Sequence, residues 1–298
     1  MDRREFLQHS AAGLAGLAGA PALAPLLAAG ARPDLAVAHG PAPDRLVRAA
    51  VDALGGMGSF IAKGDVVVVK PNIGWDRRPE YAATTNPEVV AALVRLCLEA
   101  GAGKVKVFDR TCNDPRRCYV QSGIEAAARA AGAEVSHVDE RRFREVRIPR
   151  GVAIQAWPLY LDALEADKLV NVPIAKVHSL GRLTLGFKNW MGIMGENRGR
   201  IHQRLDEALV DLATVVRPCL TVLDAVRILA ANGPTGGSLA DVRRLDTVVA
   251  GADPVAVDAF GATLFGLRGT DLGWVREAAG RGLGCMDLGR LAIRRLEA

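Results

Sequence analysis

The strongest constraint on the fold is an alternation between two kinds of segment: apolar runs without polar interruption, and capped helical stretches that end at glycine. Val66 to Val69 are consecutive valines closed by Lys70-Pro71-Asn72. Such unalternating runs suit strands buried on both faces, as in a parallel sheet covered by helices. Thr85-Asn86-Pro87-Glu88 then supplies a cap and a first-turn proline for a helix reaching Ala100, which Gly101 and Gly103 end. The exchange recurs with a strand over Lys104 to Asp109, a helix over Ser122 to Ala131, Gly132, and a strand over Glu134 to Val138.

The rest of the chain fits the same rhythm. Leu35 to His39 reads as a strand and Asp44 to Leu54 as a helix; Lys168 to Pro173, Leu220 to Asp224 and Thr247 to Gly251 read as strands. Helices are expected from about Arg200 to Val215, from Pro254 to Leu264 and from Leu272 to Ala279, with Leu291 to Arg294 as a terminal edge strand. Between Arg141 and Pro158 the rhythm breaks, and Arg147 to Pro149 with Val152 to Ala156 suggest short strands or a hairpin. The expected class is α/β, a mostly parallel sheet covered by helices. No linker forces a split, so residues 32–298 read as one domain, although two closely joined lobes also fit the length. With 50% hydrophobic but only 5% aromatic residues, the core must be built from Leu, Val and Ala.

The first 31 residues are set apart. Arg3-Arg4, Phe6-Leu7 and a weakly hydrophobic Ala/Gly/Leu stretch resemble a twin-arginine export signal, with Asp2 and Gln8 departing from its outer positions. Gly13, Gly16, Gly19, Pro21 and Pro25 make this segment a poor membrane helix, which needs ~20 apolar residues. Release near Ala29-Gly30-Ala31, or earlier at Ala20-Pro21-Ala22, would leave a mature chain from about Arg32 with no stable membrane span. The resemblance implies a periplasmic or otherwise exported protein with the twin-arginine translocase as a partner.

Net charge is +5, and Arg3 and Arg4 cancel Asp2 and Glu5, so the excess lies in the mature chain. No aromatic-basic array or reading motif accompanies it, which argues against a nucleic-acid partner. The charge is local: residues 168–206 hold seven Lys/Arg and two His against two acids. Such an excess beside a buried strand suggests a surface that meets an anion. Five cysteines, at 97, 112, 118, 219 and 285, show no Cys-x-x-Cys spacing and disfavour an iron-sulfur cluster. Cys112 and Cys118 share a charged loop and could pair in an oxidising compartment.

Several polar residues follow predicted strands: Lys70 with Asn72, Asp109-Arg110, Lys176 with His178, and Asp224. Ligands of open α/β sheets bind outside the carboxyl ends of the strands, so these residues point to one crevice. Lys70, Asn72, Lys188 and Asn189 are the candidates for holding a ligand or cofactor, and Gly186 and Gly192 would allow close backbone approach. Lys176, His178 and Asp258 are the candidates for catalysis. His178, His202 and Asp224 could instead ligate a divalent metal, although their spacing is not diagnostic. Asp253 before Pro254 reads as a helix cap.

Lys70-Pro71-Asn72, Thr85-Asn86-Pro87, Asn171-Val172-Pro173 leading to Lys176 and His178, Thr184 to Lys188-Asn189, Gly233-Pro234 with Gly236, and Ala252-Asp253-Pro254-Val255-Ala256-Val257-Asp258 occur in order. Together they resemble the domain of unknown function 362 family over about residues 36 to 266. Many relatives carry a ferredoxin-type cysteine segment with iron-sulfur clusters, from which this chain departs. The resemblance implies that the matching lysines, His178 and the aspartates serve the shared core activity. The expected function is an exported enzyme binding an anionic small molecule in a basic crevice, with a divalent metal as an option. A non-catalytic periplasmic binding or maturation factor is the alternative, and an iron-sulfur redox accessory is a third, disfavoured one.

Overall fold

Consecutive valines alternate between two cores. In this computed structural model, which describes residues 32–298, Val68 joins one apolar cluster while Val67 and Val69 join another. Leu35 and Val37 divide from Ala36 and Ala38 in the same way. This is the period-two geometry of strands covered on both faces. Each fully buried valine contributes about 1.5–3 kcal/mol. The export segment expected over residues 1–31 lies outside the described residues.

The strands are β1 (Leu35–His39), β2 (Val66–Pro71), β3 (Lys104–Val107), β4 (Glu134–Val135), β5 (Phe143–Arg147), β6 (Ala156–Tyr160), β7 (Lys168–Val172), β8 (Ile174–His178), β9 (Arg182–Thr184), β10 (Leu220–Leu229), β11 (Val242–Gly251) and β12 (Ile293–Glu297). The main sheet runs β12-β1-β11-β10-β7-β2-β3-β4, with β8 branching from β10 and carrying β9. Pairing is mostly parallel; β11 runs antiparallel to both β1 and β10, and β9 antiparallel to β8. Helices Pro43–Ala53, Pro87–Glu99 and Ile124–Ala130 cover one face. Helices Leu205–Ala213, Pro254–Thr263 and Gly273–Gly280 cover the other.

Local chemistry sets the boundaries. Asn86 caps the Pro87–Glu99 helix by accepting from Glu88 N, and Asp253 caps Pro254–Thr263 by accepting from Val255 N and Ala256 N. The helix expected over 122–131 is present as Ile124–Ala130, and a further helix not expected from sequence, Pro115–Gln121, precedes it, Gly123 taking φ +70° between them. The irregular region holds a separate antiparallel hairpin, β5–β6, with boundaries shifted from those expected. Beyond Asp224, β10 continues to Leu229 through an irregularity between Ala225 and Arg227. The basic stretch likewise opens as the β8–β9 hairpin. Among the described residues, no helix is long and apolar enough to cross a membrane.

Candidate anion-binding crevice

Lys70 is the penultimate residue of β2, beside Asn171 of β7, so it lies where β2, β3 and β7 finish. It is fully buried, and its Nζ lies 2.7 Å from Asp109 Oδ1. The same ammonium donates to Pro71 O at 2.8 Å and Asn189 Oδ1 at 3.1 Å. Burial lowers the Lys70 pKa, while Asp109 opposes the shift. Asp109 is held in turn by Ile73 N, which donates to its Oδ2 at 2.6 Å. Asn189 completes the wall, donating to Lys70 O at 3.1 Å and to Asn171 Oδ1 at 2.9 Å.

Lys176 lies on β8 and Lys188 on the short helix Gly186–Asn189. Lys176 Nζ donates to Ala83 O and, at 3.3 Å, to Asn72 Oδ1. Lys188 Nζ meets Met191 Sδ at 3.2 Å and His202 Nε2 at 3.1 Å. Among the described residues neither has a carboxylate partner. Burial therefore pulls Lys176 down to about 7 and Lys188 down to about 8.

The two histidines stack, with ring centroids 5.6 Å apart and planes at 19°. His202 Nδ1 faces Gly199 O at 3.0 Å, and since a carbonyl only accepts, Nδ1 carries the proton and Nε2 accepts from Lys188. His178 has the opposite tautomer, because its Nδ1 accepts from Leu180 N at 3.1 Å and Gly181 N at 3.3 Å. Protonating Nδ1 would set N–H against N–H. Burial and neighbouring Lys188 push the His178 pKa down to about 3.

These groups line one crevice of about 410 Å³, together with Asn72, Asp109, Arg110, Cys112, Thr184, Met191, Arg198 and the Pro234-Thr235 turn. It therefore gathers Lys70, Asn72, Lys176, His178, Lys188, Asn189 and His202. Asp258 and Asp224 are not among its lining residues. Asp258 accepts from Gly186 N at 2.6 Å, Phe187 N at 3.1 Å and Trp274 Nε1 at 3.0 Å. Asp224 accepts from Asn86 N at 2.7 Å and Val226 N at 3.0 Å. Burial raises them to about 7 and about 6, respectively, against those donors. Asp258, expected in catalysis, and Asp224, expected on a metal, thus stand behind the crevice rather than on its wall, since buried carboxylates near free backbone amides satisfy those amides first.

Both aspartates support the crevice from behind. Asp258 fixes the segment bearing Lys188 and Asn189; Asp224 fixes Asn86, next to Thr85, whose Oγ1 accepts from Asn72 N at 2.8 Å. Among the described residues no group of three or more His, Cys, Asp or Glu side chains is placed to hold a metal ion. His178, His202 and Asp224 do not form a shared site. All five cysteines, including Cys112 and Cys118, are free.

Sequence reasoning left out Arg198, which donates to Met191 O at 2.9 Å and Thr111 O at 3.0 Å and lies 3.3 Å from Cys112 Sγ. Its neighbours Arg200 and Arg204 pair with Glu196 and Glu207. Only the absence of a nearby acid at helical spacing could have singled it out. Thr184 was also left out of the site; its Oγ1 is buried in the crevice wall without a hydrogen-bond partner.

The chain is 29% identical over 227 residues to a thylakoid-associated protein of Synechocystis sp., a match covering 71% of this chain and 66% of that one. It thus spans about two thirds of the relative's length. Among solved structures it is similar to the lactate racemase apoprotein from Thermoanaerobacterium thermosaccharolyticum, with 13% identity and a TM-score of 0.45 over 74% of this chain and 54% of that one. A Thermotoga maritima protein is similar at 12% identity and a TM-score of 0.47, over 76% and 60% of the respective chains. Residues 67–263, containing most of the crevice, match the family described as Domain of unknown function (DUF362), and the chain belongs to that family.

Proposed function

We propose that this chain is an exported enzyme whose crevice takes up a small anion and holds it among groups able to move a proton. Charge balance carries the reading: Lys176 and Lys188 are buried and, among the described residues, lack carboxylate partners, while Asp109 is committed to Lys70. A buried cation without a counter-ion is costly, so a site that keeps two such lysines suits an anion from outside. A bound phosphate or carboxylate would restore their charge, and cations fixed in advance stabilise negative charge developing during a reaction.

Isothermal titration of the full chain with phosphate, pyrophosphate and small carboxylates tests this. Saturable binding should weaken at least about tenfold in Lys176→Met, the scale of one lost charge-assisted hydrogen bond. Unchanged binding in Lys176→Met/Lys188→Met would overturn the reading. For export, Arg3→Lys/Arg4→Lys should retain the protein in the cytoplasm, as scored by fractionation. Equal export of that variant would remove the twin-arginine proposal.

One observation favours the alternative of a non-catalytic binding or maturation factor. Both aspartates and the His178 Nδ1 lone pair are already committed to backbone amides, leaving few free groups for proton transfer. Anion binding with a copurifying partner, and no turnover across a broad panel of phosphate and carboxylate compounds, would favour this alternative.

A further inference from the structure

We propose that Lys188 is an amine nucleophile that condenses with the carbonyl of a small oxo acid, His202 Nε2 taking its proton, while Lys176 and Thr184 receive the acid's carboxylate. The proposal rests on the anion-binding reading and adds a reaction to it.

Three observations lead there. Lys188 Nζ contacts a thioether sulfur and an imidazole nitrogen, so the local geometry does not lock it as an ammonium. The imidazole is aligned to accept: Gly199 O fixes the proton on His202 Nδ1 and leaves the Nε2 lone pair facing Nζ at 3.1 Å. Thr184 Oγ1, buried and unpartnered on β9 opposite Lys176, is a ready donor to a carboxylate oxygen in the same crevice. The charged or titratable groups around this amine are His202, His178, Lys176, Arg198, Cys112 and the Lys70–Asp109 pair. Its pKa of about 8 leaves a usable fraction of free amine near neutrality.

The step balances without an oxidant. His202 Nε2 removes a proton from the Lys188 ammonium, and the free amine forms a C–N bond to the carbonyl carbon as the C=O π pair moves to oxygen and is protonated. Loss of that oxygen as water leaves a C=N linkage. Overall, amine and carbonyl compound give imine and water.

The test incubates the full chain with glyoxylate or pyruvate and cyanoborohydride, followed by intact mass and peptide mapping; oxalate is the anion without a reactive ketone or aldehyde. The expected result is one reduced adduct at Lys188, blocked by excess oxalate. The adduct should persist in Lys104→Arg, a half-exposed surface lysine outside the crevice, and be absent in Lys188→Arg. His202→Asn should slow trapping at least about tenfold, the lower range for loss of a general base, and move the optimum to higher pH. Oxo acids that bind by calorimetry but form no adduct, or label another lysine, would overturn the proposal and leave the anion reading standing. Failure of oxalate and the oxo acids alike to bind would remove both for these acids.

Discussion

Lys188 illustrates how a residue can be costly to the fold and useful to a site. Its folded pKa, about 8, lies below the unfolded reference of 10.5. The stability cost is therefore full below pH 8 and disappears as pH rises through 10.5. Lys188→Met keeps the chain's length without the charge, so it should stabilise the ligand-free protein by roughly 1–2 kcal/mol at pH 6 and by much less at pH 10. Thermal melts at the two pH values check this; equal shifts would mean that packing alone is responsible. In sequence, Lys70, Lys176 and Lys188 were legible as cations after apolar runs. Asp258 was not legible as a support because its helix is apolar on nearly every face, with Val255, Ala256, Val257, Ala259 and Phe260 all buried. No polar side marked where its carboxylate turns.

At the scale of elements, the crevice depends on backbones that come unusually close. A Cβ on Gly192 would lie 1.8 Å from Asp109 Oδ1 and 2.4 Å from Lys70 Nζ, while Gly192 O accepts from Arg110 N at 2.9 Å. The buried ion pair has no room to retreat, so Gly192→Ala should destabilise by about 1–3 kcal/mol and weaken anion binding, measured by denaturation and calorimetry on the same preparation. Native stability with intact binding would show that the segment relaxes without cost. Asp258→Asn should also destabilise by about 1–3 kcal/mol, because an amide NH₂ would face an N–H donor in place of an accepting oxygen. Sequence periodicity made the buried strands legible, whereas the β8–β9 hairpin was hidden. Arg182 takes φ +58° near its turn, a conformation that nothing in a basic, glycine-punctuated stretch marks out. Long-range pairing of β8 with β10, not local propensity, makes Ile174–His178 a strand.

For the whole molecule, buried titratable groups produce opposing pH slopes whose order follows from their signs. Lys176 and Lys188 fall from 10.5 to about 7 and about 8, so between those values the unfolded chain binds more protons and stability rises with pH. Cys97, Cys118 and Cys219 move the other way, from 9.0 up to about 12, about 11 and about 11, so above pH 9 the folded chain holds more protons and stability falls. Tyr119 and Tyr160 are also raised by burial and add to that fall from about pH 10 upward. Below pH 7, Asp224 and Asp258 favour the folded state as pH falls while His178 and His202 disfavour it, so that limb has no single sign. The ligand-free melting temperature should climb from pH 7 to about pH 9, level off, and drop above about pH 10. A saturating anion would keep the lysines protonated and flatten the climb, and Lys176→Met/Lys188→Met should flatten it without ligand. A climb that persists in the double variant would place its origin in other groups, the buried Lys70 among them.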